Sequence, residues 1–215
     1  MDQVYYDLPR IHRIVPPFGP AAGGTTVTVY GEHIANNTVY PGQHRCRFGA
    51  QTVSATLRTV ADGNGNGNST VMVCVSPARS STANRSVALD VSCDGGIEFT
   101  HSVKQFWFHD DVELSGLSPT HFGPLTGGTT LFVRGSGFAD LHHFLKCKFA
   151  SLDEPVDRSR IVKARFVSTQ LVRCDTPSWT VAEVVGVTVT RNGQDYSASS
   201  LNFTYVSWTF GVVTL

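Results

Sequence analysis

The sequence predicts an all-β protein made of two tandem β-sandwiches of about 100 residues each. Three observations predict it. The first is an internal repeat: residues 18–31 read FGPAAGGTTVTVYG and residues 122–135 read FGPLTGGTTLFVRG, a match at an offset of 104 residues. The second is that further matches follow in the same order. CRFG at 46–49 answers CKFA at 147–150, VCVSP ending at Pro77 answers RCDTP ending at Pro177, and VALDVSCDGG at 87–96 answers VGVTVTRNG at 185–193. Each unit closes on aromatics, Phe106, Trp107 and Phe108 in one and Phe203 and Tyr205 in the other. The third is the near absence of helical periodicity. Short alternating runs are separated by Gly, Pro, Asn and Ser, the pattern of strands and turns.

Taken in chain order, residues 1–8 are expected to be the end of a preceding repeat or a linker. Gln3 to Tyr6 resembles the aromatic ending at Gln105 to Phe108, and it stands at a similar distance before the FGP motif. The chain then reads as a segment of a longer array. The first sandwich is expected over 9–109, the second over 110–206, and an apolar linker or cut end over 207–215. In TTVTVYG, Val27 and Val29 face one way and Thr26, Thr28 and Tyr30 the other. Val53, Ala55 and Leu57 share a face, as do Val162, Ala164 and Phe166 in the second unit; Val87, Leu89 and Val91 alternate with Ala88, Asp90 and Ser92. About seven strands over about 100 residues suit an immunoglobulin-like sandwich in each unit.

The loops differ between the units. Cys46 to Val53 spans 7 positions and Cys147 to Val162 spans 15, so the second unit carries an insertion near 153–160. Leu57 to Cys74 spans 17 and Phe166 to Cys174 spans 8, so the first carries an extra stretch containing GNGNGN at 63–68. That run reads as a flexible loop tip, and with only Asp62 beside it there is no carboxylate cluster for calcium.

Composition narrows the function classes. With 17 Lys+Arg against 17 Asp+Glu the chain is formally neutral, without the broad basic footprint of a nucleic-acid or anionic-membrane binder. Charged residues are 16% of 215, low against about 25% in ordinary domains, and 19 Ser and 22 Thr fill the gap. No apolar run reaches the roughly 18–20 residues of a membrane-spanning helix. The opening MDQVYYDLPRIHRIVPP lacks the basic start and apolar core of a signal peptide. In a segment of a longer protein, that says little about compartment.

The sequence holds no GxSxG, no Walker loop and no HExxH. No catalytic residue, metal or cofactor is therefore expected. His142, His143 and Cys147 come nearest to a metal cluster, but adjacent histidines on a strand face opposite ways. Gly23-Gly24 and Gly127-Gly128 are read as turn glycines with φ > 0, because a strand rather than a phosphate-binding helix follows them. Pro16 and Pro119 suit the edge of the first strand. Arg158, Arg160, Lys163 and Arg165 form a possible basic patch, with Lys163 and Arg165 expected on the outward face of one strand. That patch is either a solvated face or a small site for an acidic glycan or nucleic acid.

PPFGPAAGGTTVTVYG and SPTHFGPLTGGTTLFVRG, each followed by the CxF step, the Cys-x-x-Pro step and a closing aromatic strand, resemble IPT/TIG domains in two copies over nearly the whole chain. Such domains occur in plexins, in relatives of the hepatocyte growth factor receptor, in fibrocystin-like surface proteins, and in Rel- and EBF-type transcription factors. The resemblance implies early-set immunoglobulin-like sandwiches used for adhesion, spacing or dimerisation rather than catalysis.

The cysteines stand at equivalent places, Cys46 and Cys74 separated by 28 positions and Cys147 and Cys174 by 27. On the residues alone they are either disulfide pairs or buried thiols; the resemblance implies one intradomain disulfide per unit. Cys93 is left unpaired, aligned with Arg191. Asn36, Asn68, Asn84 and Asn202 each begin an N-x-S/T sequon, and Asn68 on the GNGNGN loop is the best placed glycosylation acceptor.

The expected function is a non-enzymatic, extracellular or cell-surface interaction and adhesion module. Protein or glycan ligands and neighbouring IPT/TIG repeats are its expected partners, and neither nucleic acid nor membrane contact is expected within this segment. A short link from His109 to Leu114 is expected to hold binding surfaces at a fixed distance. The alternative is an intracellular Rel/EBF-type module for dimerisation and DNA binding, which predicts free cysteines and a basic face.

Overall fold

A computed structural model describes residues 7–34, 41–61, 68–79, 85–141, 144–153 and 158–207. The sequons at Asn36 and Asn84, the His142-His143 pair, and the segments at 1–6 and 208–215 lie outside the described residues. No α-helix occurs among those described. The chain divides into two compact units, 1–109 and 110–215, each with its own hydrophobic core.

In unit 1, β1 (Arg10–Val15) pairs antiparallel with β3 (Thr26–Glu32), and β2 (Phe18–Pro20) pairs parallel with the last strand, β8 (Gln105–His109). The first strand thus leaves one sheet and joins the other across Pro16 and Pro17. Prolines there offer no N–H to continue the first ladder. The expected edge strand is therefore two short strands on two sheets. Unit 2 repeats the device: β9 (Glu113–Ser118) pairs with β11 (Thr130–Ser136), and after Pro119, β10 (Phe122–Pro124) runs parallel to β17 (Leu201–Val206).

A second crossing lies in mid-unit. In β5 (Gln51–Ala61), residues 51–55 pair with β4 (His44–Phe48) and residues 55–61 pair with β6 (Asn68–Val75). This shared strand makes one continuous order, β1-β3-β6-β5-β4-β7-β8-β2, with β7 spanning Ser86–Ser92. In unit 2 the corresponding stretch breaks at Ala164. β13 (Ser159–Lys163) pairs with β12 (Lys146–Ser151), while β14 (Arg165–Ser168) pairs with β15 (Leu171–Asp175). The result is a five-stranded sheet, β10-β17-β16-β12-β13 with β16 at Val184–Thr190, and a four-stranded sheet, β14-β15-β11-β9. Cys46 faces Val53 and Cys147 faces Val162 in register, despite their unequal separations along the chain.

The repeated motifs prove to be contact partners. A Cβ on Gly19 or Gly123 of FGP would run into the hydroxyl of Thr25 or Thr129 of GGT and against the ring of Phe106 or Phe203. Gly23 and Gly127 have φ of 79° and 72°, and a Cβ on either would lie 2.5 Å from the carbonyl carbon of Pro77 or Pro177. The next glycine donates its N–H to the strand-exit residue, Gly24 to Ser76 O at 2.9 Å and Gly128 to Thr176 O at 2.8 Å. The GGT turn is thus docked on the Cys-x-x-Pro step. The Phe of each CxF step meets the closing aromatics edge-on, Phe48 with Phe106 at 5.2 Å and Phe149 with Phe203 at 6.2 Å. In unit 2, Tyr205 stacks on Trp179 at 5.3 Å and donates its hydroxyl to Pro177 O at 2.7 Å. Burial pushes its phenol pKa upward.

One alternation differs from expectation. Leu89 and Val91 of β7 face the core, but Asp90 and Ser92 are buried as well. The segment after β7 folds back over the outer face. Thr100 returns its N–H to Val91 O at 2.9 Å and its Oγ1 to Asp90 Oδ1 at 3.2 Å, and Ser102 donates its N–H to the same Oδ1 at 2.7 Å.

Candidate interaction surfaces

Each unit carries a disulfide through its core: Cys46–Cys74 joins β4 to β6, which flank β5, and Cys147–Cys174 joins β12 of one sheet to β15 of the other, with Cα–Cα distances of 6.3 and 6.4 Å. All four are buried, and Cys147 is held in its bridge rather than free as a thiolate for a metal. Cys93 is buried without a disulfide. No group of three or more His, Cys, Asp or Glu side chains among the described residues is placed to hold a metal. No helix among them is long and apolar enough to cross a membrane.

The strand crossing at Ala164 separates residues that the sequence pattern groups together. Lys163 ends β13 and Arg165 begins β14, so they stand on the outer faces of different sheets, not on one face as expected. Arg165 lies opposite Arg173 in register, near Asp175. The hydroxyl of Thr130 and the Arg173 guanidinium (3.1 Å) hold the Asp175 carboxyl below its usual range. Arg160 turns one guanidinium nitrogen to the carbonyl of Ser159.

Arg158 reaches Glu183 at 3.1 Å. Burial works to raise the Glu183 pKa, but donation from Trp179 Nε1 (2.5 Å), Ser151 Oγ (2.8 Å) and Arg158 outweighs it and holds the carboxyl below its ordinary value. Arg158 is therefore engaged in a structural cluster. The sequence pattern gave no sign of this cluster, because its members come from two stretches, 151–158 and 179–183, that are distant along the chain.

The outer faces of the β4 and β12 sheets are built on one plan with different charges. In unit 1 the inward Cys46 and Phe48 leave Arg45 and Arg47 outward. Ser54 faces Arg45, Asp90 faces Arg47 and pairs with it at 3.1 Å, and Phe99 underlies the Arg47 guanidinium at 4.3 Å. In unit 2 the inward Cys147 and Phe149 leave Lys146 and Lys148 outward. Lys163 faces Lys146, Thr188 faces Lys148, and Tyr196 lies beneath the Lys148 ammonium at 4.7 Å. Burial raises the phenol pKa of Tyr196. Sequence reasoning found Lys163 but missed Lys146 and Lys148; the alternation of KCKF around two inward residues was the signal available for them.

Other exposed features are smaller. Trp107 stands outward from β8 with 53% of its surface exposed, beside Phe18 in the ladder. A cleft of about 360 Å³ in unit 1 lies between residues 9–12 and 100–104. Of the sequon asparagines, Asn68 is exposed at the start of β6, and Asn202 is exposed on β17 between inward residues of the core.

The IPT/TIG domain model matches residues 9–106 and again residues 113–205. The chain belongs to the IPT/TIG domain family. Among solved structures, it is similar to the full extracellular region of plexin A4, with 21% identity over 92% of this chain and 18% of that one, at a TM-score of 0.47. It is also similar to domains 4–9 of the surface layer protein SbsC, with 12% identity over 94% of this chain and 32% of that one, at a TM-score of 0.26. The chain thus spans less than a third of the first and about a third of the second. Each IPT/TIG unit here keeps its FGP, GGT, CxF and Cys-x-x-Pro residues in mutual contact, while the outer faces of the two units differ in charge.

Proposed function

We propose that these tandem IPT/TIG domains form a non-enzymatic extracellular or cell-surface interaction module, binding protein or glycan ligands and neighbouring repeats through their outer faces. The observation that carries this reading is the pair of core disulfides at equivalent places in both units. Such bridges persist in oxidising compartments and are rare where glutathione keeps thiols reduced. Exposure of Asn68 and Asn202 leaves both sequons accessible to a glycosyltransferase and adds support. The formal neutrality of the chain counts against a DNA-binding module of the Rel or EBF type.

The test is peptide mapping under non-reducing conditions, with glycosidase treatment, on protein isolated from its native source. Cys46–Cys74 and Cys147–Cys174 peptides and occupied sequons are the expected result. Finding all five thiols free overturns the extracellular reading in favour of the intracellular one.

A further inference from the structure

We propose that the outer face of the β12–β13 sheet in unit 2 docks a linear sulfated polysaccharide through Lys146, Lys148 and Lys163. Lys146 and Lys163 are directly opposed in the antiparallel ladder, and Lys148 lies one same-face step along β12, about 7 Å away. Like charges directly opposite each other destabilise a sheet. Among the described residues none of the three lysines forms an ion pair. Asp195, on the turn after β16, accepts a hydrogen bond from Asn192 Nδ2 at 2.6 Å and makes no ion pair with any of the three.

Unit 1 is an internal comparison. At the same positions its two arginines face Ser54 and Asp90, and Asp90 neutralises Arg47. Unit 2 places Lys163 where Ser54 stands and Thr188 where Asp90 stands, adding one positive charge and removing one negative charge on the same framework. Thr188 Oγ1 is shielded from solvent and makes no hydrogen bond among the described residues, so it does not replace the missing carboxylate. Nothing in the fold needs this concentration of charge, since unit 1 builds the same sheet without it.

The chemistry of the face selects the ligand. Ammonium groups on flexible stems act as point charges that can follow anionic groups spread along a chain, and the three lysines present no guanidinium fork for bidentate recognition of a single carboxylate or phosphate. β12 is paired on both sides, by β13 and β16, and the free backbone edge belongs to β13, so a ligand reaching Lys146 and Lys148 meets them across the face of the sheet. The aromatic ring present, Tyr196, already lies under Lys148 and gives no open platform for stacking nucleobases. Choosing a sulfated sugar over other polyanions rests on the extracellular reading above.

The experiment is binding of the full, disulfide-bonded chain to a heparin-derived octasaccharide across a salt series. Desulfated heparin and single-stranded DNA of equal charge serve as comparators. The wild type is expected to bind the sulfated sugar at about 0.1 M salt and to weaken as screening increases. The combined K146S, K148S and K163S variant is expected to lose about tenfold or more in affinity, and a control removing the exposed Arg10, Arg58 and Arg134 to change it by about twofold or less. Thr188→Asp, which leaves the lysines in place and restores a carboxylate opposite Lys148, is expected to weaken binding about threefold, so the proposal does not depend on the triple variant folding. Equal binding by the lysine and control variants, equal binding to DNA or desulfated heparin, or no binding by the wild type would each overturn it. Cysteine mapping of the same sample separates the two failures: intact disulfides without binding sink this proposal alone.

Discussion

Gly127 shows why a two-letter motif is so restrictive. Its φ is positive, and its α-hydrogen faces the Pro177 carbonyl at a distance that a methyl group cannot occupy. Gly127→Ala therefore combines backbone strain with steric overlap and is expected to destabilise unit 2 by about 2 kcal/mol or more in urea unfolding. A change within about 0.5 kcal/mol would show that the turn moves away freely. Glu183 gives a pH prediction. Its folded pKa lies below its unfolded value, so its contribution is fully present above the unfolded pKa and is lost as pH falls through the folded one. Glu183→Gln is expected to be less stable than wild type at pH 7 and to approach it as pH falls below about 4.3, read from denaturant midpoints across pH. A gap independent of pH would assign the effect to packing alone.

At the scale of elements, two crossings define each sandwich, and the sequence marks them unequally. The first is legible after the fact: a proline ends β1 and β9, and a short FGP strand resumes on the other sheet. The second was hidden, because Val162, Ala164 and Phe166 keep one alternation through the point where the chain changes sheets. Periodicity reports which side chains point to the core but not which sheet supplies the ladder, and in a sandwich the core is shared by both. Placing Lys163 and Arg165 on one face was the resulting error. The unit 2 disulfide spans the same gap between sheets. Replacing Cys147 and Cys174 by alanine, which opens a loop of 27 positions, is expected to cost unit 2 about 3–4 kcal/mol. A loss below about 1 kcal/mol in calorimetry would mean that the bridge adds little to a core already packed.

At the scale of the whole molecule, each unit has its own core, one built from residues between Ile14 and Phe108 and the other from residues between Val112 and Tyr205. The effect of opening the unit 2 disulfide is therefore expected to stay within that unit. The unfolding of unit 1, followed by hydrogen exchange at β3 and β6 amides, should change by about 0.5 kcal/mol or less. A larger shift would reveal coupling between the units.

The sequence by itself determined the repeat, the all-β class, the equivalence of the cysteines and the glycine turns, because these depend on local chemistry and on order along the chain. A proline lacks its N–H and a glycine its Cβ wherever the chain goes. Only the tertiary structure decided which motifs touch, that Arg158 serves Glu183, and that Lys146, Lys148 and Lys163 gather on one face while Arg165 leaves it. Those outcomes depend on strand register and on the sheet each strand joins, which bring together residues far apart in sequence and separate residues that are nearly adjacent.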